Sequence, residues 1–220
     1  MKEALLPSPC PENERLEGLS LFKLSFLGNG PYSVSIAPGE CVGLTGRSGV
    51  GKTQLLRAVA DVIVHDGDCF LDSNACTLVS APEWRKMVAM LPAESFWWYD
   101  TVGAHFPSEC GTADFENLLG KLGFSLKVLG WQVSRLSTGE RQRLALVRIL
   151  MNKPRVLLLD EPTSALDKKM VHVVEGIVAD ICSLQDVICL WVSHDLEQLS
   201  RVAGRVFQVE ASGLIEESVK

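Results

Sequence analysis

The chain has 220 residues, of which 47% are apolar and 22% are charged, the composition of an ordinary globular domain. A chain of this length can bury about 70% of the surface that it exposes when unfolded, so we expect one domain with its own core. The net charge of −6 disfavours a general nucleic-acid or anionic-membrane surface. Because no apolar run reaches the ~18 residues that span a bilayer, we expect a cytoplasmic protein.

Neither the first residues nor the cysteines indicate a secreted or disulfide-bonded protein. Residues 1–15 contain three prolines and no apolar stretch of the kind found in secretion signals, which predicts a loosely ordered lead-in to a single domain at 16–220. The seven cysteines form no CxxC pair, so neither a disulfide framework nor a zinc site is predicted. Cys41, Cys182 and Cys189 lie among apolar residues and are predicted to be core side chains.

The apolar pattern of the first hundred residues predicts short strands around one helix. Alternating residues predict antiparallel edge strands at 19–26 and 32–36, joined by a turn rich in glycine. The segments that follow predict a strand at 40–46, a helix at 52–63, and strands at 69–72 and 88–91.

The second half of the chain predicts a parallel sheet. Segments 156–160 and 187–192 are continuously apolar, as strands covered on both faces must be. An amphipathic helix at 170–181 separates them, so strand, helix and strand alternate as in a doubly wound α/β core. Residues from 95 to about 135 hold aromatic residues and short helical stretches and predict a helical insertion, followed by a strong helix at 140–151.

A glycine-rich segment follows the strand at 40–46 and opens the next helix. Its sequence, GRSGVGKT, fits GxxxxGK[ST], in which curled backbone N–H groups and a helix N-terminus surround phosphate oxygens. We expect the Lys52 amine to reach the β- and γ-phosphates and the Thr53 hydroxyl to bind Mg²⁺. The predicted phosphate-binding residues are Gly46, Arg47, Ser48, Gly49, Val50, Gly51, Lys52 and Thr53.

Polar residues follow both apolar strands of the second half. Asp160 and Glu161 stand at the carboxyl end of 156–160, the edge at which ligands bind in such sheets. We expect Asp160 to hold the Mg²⁺ shell and Glu161 to act as a general base for the attacking water, the alternative being a solvated strand end. His194 follows the segment 187–192 at the same edge, where it is either a surface residue or a contact to the γ-phosphate.

The segment ahead of the helix at 140–151 predicts a second anion site. It comprises Leu136, Ser137, Thr138, Gly139 and Glu140. Here the serine hydroxyl, the glycine N–H and the helix N-terminus could bind a phosphate. Serine three residues before glutamate is also an ordinary helix-capping pattern, so that alternative stays open.

These motifs together resemble the ABC ATPase family over residues 16 to about 210. The resemblance covers the P-loop, the family signature at 136–140, the Walker B strand at 156–161 and the switch histidine at 194. It also includes the D-loop, which is Ser164, Ala165, Leu166 and Asp167. It implies an α/β P-loop NTPase (RecA-like) core with an antiparallel β edge and a helical subdomain at about 95–146.

The resemblance implies the ATP-hydrolysing subunit of an ABC transporter, with ATP and Mg²⁺ as cofactors. Two such chains would pack head to tail, each ATP lying between one P-loop and the partner's signature. A separate integral membrane permease would be the further partner, with no nucleic acid involved, and the chain would lie at the cytoplasmic membrane face. The alternatives are a weakly or non-hydrolysing regulatory subunit and a soluble ABC ATPase without a role in transport.

Three features depart from the family pattern or leave a role open. Ala93 occupies the position of a glutamine that normally binds Mg²⁺, so either Glu94 replaces it as a ligand or the ligand is lost. The family places an adenine-stacking aromatic ahead of the P-loop, for which Phe22 and Phe26 are the candidates. The aromatic run at 96–99 either packs inside the helical subdomain or forms a docking patch for a partner.

Overall fold

Two β-sheets organise residues 17–107 and 112–217, the part of the chain that the computed structural model describes. The first sheet is antiparallel and confirms the predicted antiparallel edge. Its strands, in spatial order, are β2 (Asn29–Ile36), β1 (Leu19–Phe26), β4 (Asp66–Leu71) and β5 (Asn74–Ala75). The predicted lead-in at 1–15 lies outside the described residues.

The second sheet is the parallel one that the apolar segments predict. Its spatial order is β10 (Gly213–Glu217), β9 (Arg205–Glu210), β3 (Cys41–Thr45), β8 (Ile188–Val192), β7 (Val156–Asp160) and β6 (Val88–Leu91). All neighbours from β9 to β6 are parallel, and β10 pairs antiparallel with β9. The carboxyl ends of β3, β8 and β7 therefore meet at one edge.

Helices connect these strands on both sides of the parallel sheet. They are α1 (Lys52–Val59), α2 (Ala81–Met87), α3 (Ala113–Lys121), α4 (Thr138–Leu150), α5 (Lys168–Gln185) and α6 (Leu196–Val202). The predicted helix at 52–63 is too long, because Asp61 adopts a left-handed φ of 53° and turns the chain away. The α/β fold class is confirmed.

The core consists of two apolar clusters that share the parallel sheet. Along β7, Val156 and Leu158 belong to the cluster that includes α1, while Leu157 and Leu159 belong to the cluster that includes α4 and α5. Successive side chains of a strand point to opposite faces, so one apolar strand serves both clusters. All four residues are fully buried, and each contributes about 1.5–3 kcal/mol of burial free energy, which holds the strand ends in place.

The chain between β6 and β7 is largely helical. It contains α3 and α4, with 3₁₀ turns at Gly103–His105, Leu126–Gly130 and Val133–Arg135. Phe106 packs edge-on against Phe115 at 5.6 Å between ring centroids, which joins the first of these turns to α3. Within residues 17–107 and 112–217, no helix combines the length and the apolar character needed to cross a membrane.

Candidate nucleotide-binding site

The loop from Gly46 to Gly51 connects β3 to α1 and wraps around the helix N-terminus. Gly46 has a φ of 141°, and a Cβ placed on it would lie 2.8 Å from the carbonyl oxygen of Val209, so the position admits only glycine. The first N–H groups of α1 have no partner within the helix, and together with the helix dipole they favour an anion at this loop.

The Lys52 side chain lies across this loop. It is 7% exposed, and its Nζ donates to the carbonyl oxygens of Gly46 at 2.8 Å and Arg47 at 3.1 Å. Burial lowers the pKa of Lys52, while the charges of Glu161 and Asp160 oppose that shift. An ammonium group held by neutral carbonyls can exchange them for phosphate oxygens, which offer a stronger, charge-assisted bond.

Thr53 and Asp160 join the P-loop helix to the end of β7. The Thr53 hydroxyl donates to Asp160 Oδ2 at 2.8 Å, and Asp160 is only 3% exposed. Mg²⁺ prefers oxygen ligands and keeps several of its waters when protein carboxylates and phosphates bind it. This hydroxyl–carboxylate pair beside the phosphate loop therefore fits the ion, and these two residues would hold it.

Glu161 is held in an uncommon backbone conformation beside this pair. Its φ is 49°, a left-handed value that costs a non-glycine residue free energy, and its N–H donates to the Val192 carbonyl at 3.1 Å. Burial is the largest cause raising the pKa of Glu161; Asp160 adds to it, while His194 and Lys52 lower it. Its buried Oε1 accepts no hydrogen bond from the described residues. A carboxylate with a raised pKa beside the metal-binding pair suits a general base.

The His194 side chain lies next to Glu161, at the end of the neighbouring strand. It follows β8, and its Nε2 lies 3.4 Å from Glu161 Oε1 with 58% of the histidine side chain exposed. The structure thus brings the predicted catalytic residues Lys52, Glu161 and His194 to one edge of the sheet, together with Thr53 and Asp160.

The signature segment caps α4 and packs against the D-loop. The Ser137 Oγ accepts from the Glu140 N–H at 3.3 Å, and Glu140 Oε2 accepts from the Ser137 N–H at 2.8 Å, so the predicted capping alternative is present. The Ser137 N–H and the Ser137 hydroxyl, which also donates to Glu140 Oε2 at 2.8 Å, lower the pKa of the Glu140 carboxyl. A Cβ on Gly139 would lie 2.7 Å from the Ala165 carbonyl oxygen. The two segments line a cavity of about 390 Å³ formed by Ser137, Thr138, Gly139, Arg143, Ala165, Leu166, Asp167 and Met170.

Some predicted residues do not join the phosphate cluster. Ala93 and Glu94 are both exposed after β6, and among the described residues Glu94 has no hydrogen bond or ion pair. Phe26 is 3% exposed and stacks on Tyr32 with 5.5 Å between centroids, and its ring edge lies 3.7 Å from where a Cβ on Gly51 would stand. Phe22 is half-buried, with the Lys23 amine 5.4 Å from its ring centroid.

His105, for which the sequence predicts no role, organises the aromatic run at 96–99. Its Nε2 accepts the backbone N–H groups of Trp98 at 2.9 Å and Tyr99 at 3.0 Å. Nε2 therefore carries no hydrogen, so Nδ1 is the protonated nitrogen and donates to the Thr101 carbonyl at 3.0 Å. The rings of Trp97, Trp98 and Tyr99 pack around this imidazole at 4.8–5.1 Å.

The same run leaves three aromatic side chains at the surface. Phe96, Trp98 and Tyr99 are 71%, 64% and 54% exposed, whereas Trp97 is half-buried against the helical core. The Arg148 guanidinium lies 4.7 Å from the Trp97 ring centroid and 4.9 Å from that of Trp98. Trp97 thus packs inside the helical subdomain, as one of the predicted alternatives has it, while the other three residues form an exposed aromatic patch.

The P-loop after β3, the aspartate that ends β7 and the glutamate that follows it define the class of P-loop nucleoside triphosphatases. The sequence matches the ABC transporter family over residues 30–164. The chain belongs to that family, which confirms the predicted resemblance.

Individual relatives support the same assignment. The chain is 33% identical over 201 residues to the cyclolysin secretion/processing ATP-binding protein CyaB of Bordetella pertussis, covering 84% of this chain and 27% of CyaB. It thus spans about a quarter of that relative's length. It is 32% identical over 189 residues to the aliphatic sulfonates import ATP-binding protein SsuB 2 of Agrobacterium fabrum, covering 84% of this chain and 71% of SsuB 2.

A solved structure shares the fold. It is a dimeric post-hydrolysis state of an ATP-binding cassette bound to ADP and phosphate, with a TM-score of 0.78 and 18% sequence identity. The likeness covers 92% of this chain and 99% of that one.

Proposed function

We propose that this chain is the ATP-binding and ATP-hydrolysing subunit of an ABC transporter. The observation that carries the proposal is the 2.8 Å hydrogen bond between Thr53 and Asp160, with the Glu161–His194 pair at the same strand ends. This arrangement places a metal-binding pair, a base and a phosphate loop around one space, which is what phosphoryl transfer to water requires.

Each residue has a defined task in this proposal. The P-loop N–H groups and Lys52 bind the triphosphate, and Thr53 and Asp160 hold Mg²⁺, which when bound neutralises phosphate charge. The Glu161 carboxylate accepts a proton from the attacking water, whose oxygen bonds to the γ-phosphorus as the bond to the bridging oxygen breaks and ADP leaves. His194 contacts the γ-phosphate while it keeps the glutamate side chain oriented. The raised pKa of Glu161 makes its carboxylate a stronger base than an exposed one.

The signature and D-loop support a site shared between two chains. The cavity that they line lies at the N-terminus of α4, which favours an anion. We assign Ser137 and Gly139 to the γ-phosphate of ATP bound to a second copy, with the D-loop between the two sites. The dimeric arrangement of the structural relative supports the same assembly.

The aromatic patch of Phe96, Trp98 and Tyr99 is the proposed contact with the permease. Exposed aromatic clusters mark interfaces, and this one is held in place by His105 and Arg148. We assign it to a cytoplasmic segment of a separate membrane permease, which places the chain peripherally at that membrane face. ATP-driven closure of the dimer would move this patch and thereby the permease.

The test is ATP hydrolysis per chain, measured with Mg²⁺ over a wide range of protein concentration. We expect activity that rises with concentration and disappears in Glu161→Gln, while the exposed-residue control Glu216→Gln keeps it. Concentration-independent activity would contradict the shared site, and full activity of Glu161→Gln would contradict the assigned base. ATP binding without hydrolysis at any concentration would favour a regulatory subunit, the alternative that Ala93 supports.

A further inference from the structure

Three side chains of metal-ligand type converge beyond the far end of α1. Asp61 follows that helix, His65 precedes β4, and Cys76 begins the 3₁₀ turn Cys76–Leu78 after β5. One donor atom from each lies within 4.8 Å of the other two. Asp61 and His65 are four residues apart, but Cys76 reaches them only because β4 and β5 fold back as a hairpin.

The burial of His65 and its unpaired ring nitrogen indicate that this side chain binds a ligand. Its side chain is 6% exposed, and its buried Nδ1 has no hydrogen-bond partner among the described residues. Its Nε2 lies 4.0 Å from Asp61 Oδ1, which is beyond hydrogen-bond distance. Leaving a buried polar atom unpaired costs about 1–3 kcal/mol, and a metal ion bonded to the imidazole at Nδ1 would remove that cost.

The geometry and the donor set fit zinc. A point among three atoms no more than 4.8 Å apart lies within about 2.8 Å of each, whereas zinc bonds are about 2.0–2.3 Å long, so shifts of under an ångström suffice. A thiolate and an imidazole favour zinc over Mg²⁺ or Ca²⁺. One carboxylate and one thiolate also balance the charge of a divalent ion, and a water can complete the tetrahedron.

Neighbouring residues hold the ligands in position. Asp68 is 4% exposed, and its two oxygens accept hydrogen bonds from the Cys69 N–H at 2.8 Å and the Thr77 hydroxyl at 2.7 Å. This carboxylate therefore fixes the turn that presents Cys76. Arg85 donates to the Asp61 carbonyl oxygen at 2.8 Å and fixes the turn after α1. Such supporting contacts are typical of metal sites.

We propose that Asp61, His65 and Cys76 bind one zinc ion. The site is separate from the Mg²⁺ pair, because Thr53 and Asp61 lie near opposite ends of α1, about 12 Å apart at the rise of an α-helix. The bound ion ties the end of the P-loop helix to the antiparallel sheet and so stabilises their junction.

The test uses the full chain, stripped of metal with a chelator and free of nucleotide. We expect one equivalent of Zn²⁺ to bind and to raise the Tm, and Co²⁺ used as a probe to give thiolate-to-metal charge-transfer absorption. His65→Ala and Cys76→Ala should each weaken zinc binding by at least about a hundredfold. The matched controls His172→Ala and Cys182→Ala, which change an exposed histidine and a buried cysteine elsewhere, should bind zinc as the unaltered chain does.

A further variant separates binding from folding. Asp61 has 32% of its side chain exposed, so Asp61→Asn should keep the fold and lose most of the zinc affinity. Equal zinc affinity in Cys76→Ala and Cys182→Ala would overturn the proposal. A Co²⁺ complex of the unaltered chain without a thiolate-to-metal absorption band would also overturn it. So would the loss of zinc binding in Thr53→Ala, because the ion would then occupy the nucleotide site.

Discussion

Among single residues, Glu161 combines strain and a raised pKa at the point where β7 ends. Because the pKa of Glu161 is raised in the folded chain, its ionised form is disfavoured there relative to the unfolded chain. The resulting loss of stability is absent below the unfolded carboxyl pKa of about 4.3 and develops as pH rises through the folded-state pKa. Glu161→Gln should therefore abolish hydrolysis yet unfold at an equal or higher denaturant concentration at neutral pH.

Denaturant unfolding at neutral and acid pH checks this sign. The stability gain of Glu161→Gln should shrink when pH falls below the ordinary carboxyl range, and Glu216→Gln should show no comparable gain. A variant clearly less stable than the unaltered chain at neutral pH would mean that the Glu161 carboxylate stabilises the fold.

Gly139 illustrates a second constraint at a single position. Its φ is not left-handed, but a Cβ would meet the Ala165 carbonyl oxygen at 2.7 Å, and that oxygen belongs to backbone that cannot easily yield. Gly139→Ala should therefore displace the D-loop, lower stability by about 1–3 kcal/mol and reduce ATP hydrolysis. Denaturant unfolding and steady-state turnover measure both effects.

The control for Gly139→Ala is Gly176→Ala in α5. Gly176 lies within a helix, and a Cβ there would meet no atom within 4 Å. This change should raise stability by about 0.5–1 kcal/mol, because alanine restricts the unfolded chain and favours the helix. If both variants were equally stable, close packing against the Ala165 carbonyl would not be what requires glycine at position 139.

The sequence predicts residues whose geometry is local better than residues that meet through the tertiary fold. Lys52 and Thr53 are fixed by the P-loop spacing, and Asp160 by the strand end that delivers it. The burial of Phe26 could not be predicted from local sequence, because it depends on Tyr32, which lies across a hairpin. Similarly, His65 and Cys76 meet only after β4 and β5 pair.

At the scale of elements, a buried network joins α5 and α6 to the segment after β7. Glu175 accepts hydrogen bonds from Arg201 at 2.7 Å and Gln198 at 3.0 Å, and Gln198 also bonds Thr163 just beyond Glu161. Burial would raise the pKa of Glu175, but the hydrogen bonds from Arg201, Gln198 and His172 outweigh it and lower the pKa. The network therefore stabilises the fold when Glu175 is ionised.

The ionised Glu175 carboxylate should make the stability of the fold depend on pH in the acid range. A lowered folded-state pKa means that this contribution is complete above the unfolded carboxyl pKa of about 4.3 and is lost as pH falls through the folded value. Glu175→Gln should lower neutral-pH stability by about 1–3 kcal/mol and flatten the acid limb of the stability profile. Urea unfolding from neutral pH to below pH ~4 tests it, with exposed Glu116→Gln expected to follow the unaltered chain.

The elements that the sequence predicted most clearly share a strong local pattern, and two that it missed, β10 and α6, do not. The strands β7 and β8 are continuously apolar because helices cover both faces, so their pattern is unmistakable. By contrast, β10 is largely exposed, and α6 is a single short helix whose stability comes from Gln198 and Leu199 packing inward. Their formation depends on tertiary contacts that a sequence window does not contain.

At the scale of the whole molecule, the proposed head-to-tail dimer predicts that two inactive variants restore each other. Lys52→Ala removes the phosphate-binding amine from one P-loop. Ser137→Asp keeps an N-cap residue at the start of α4 but adds a negative charge where the partner's γ-phosphate would lie. Each variant alone should be inactive. A mixed dimer, however, carries both lesions in one site and leaves the other site intact.

An equal mixture of the two variants should therefore recover hydrolysis, to about a quarter of normal if dimers form at random and sites act independently. Ser137→Asn, which also caps the helix but adds no charge, should lose less activity alone than Ser137→Asp, and that difference measures the effect of the charge. The measurement is turnover against mixing ratio, with a maximum expected near equal amounts. A mixture as inactive as its components would mean that each chain completes its own site, because only a shared site lets one chain supply what the other lacks.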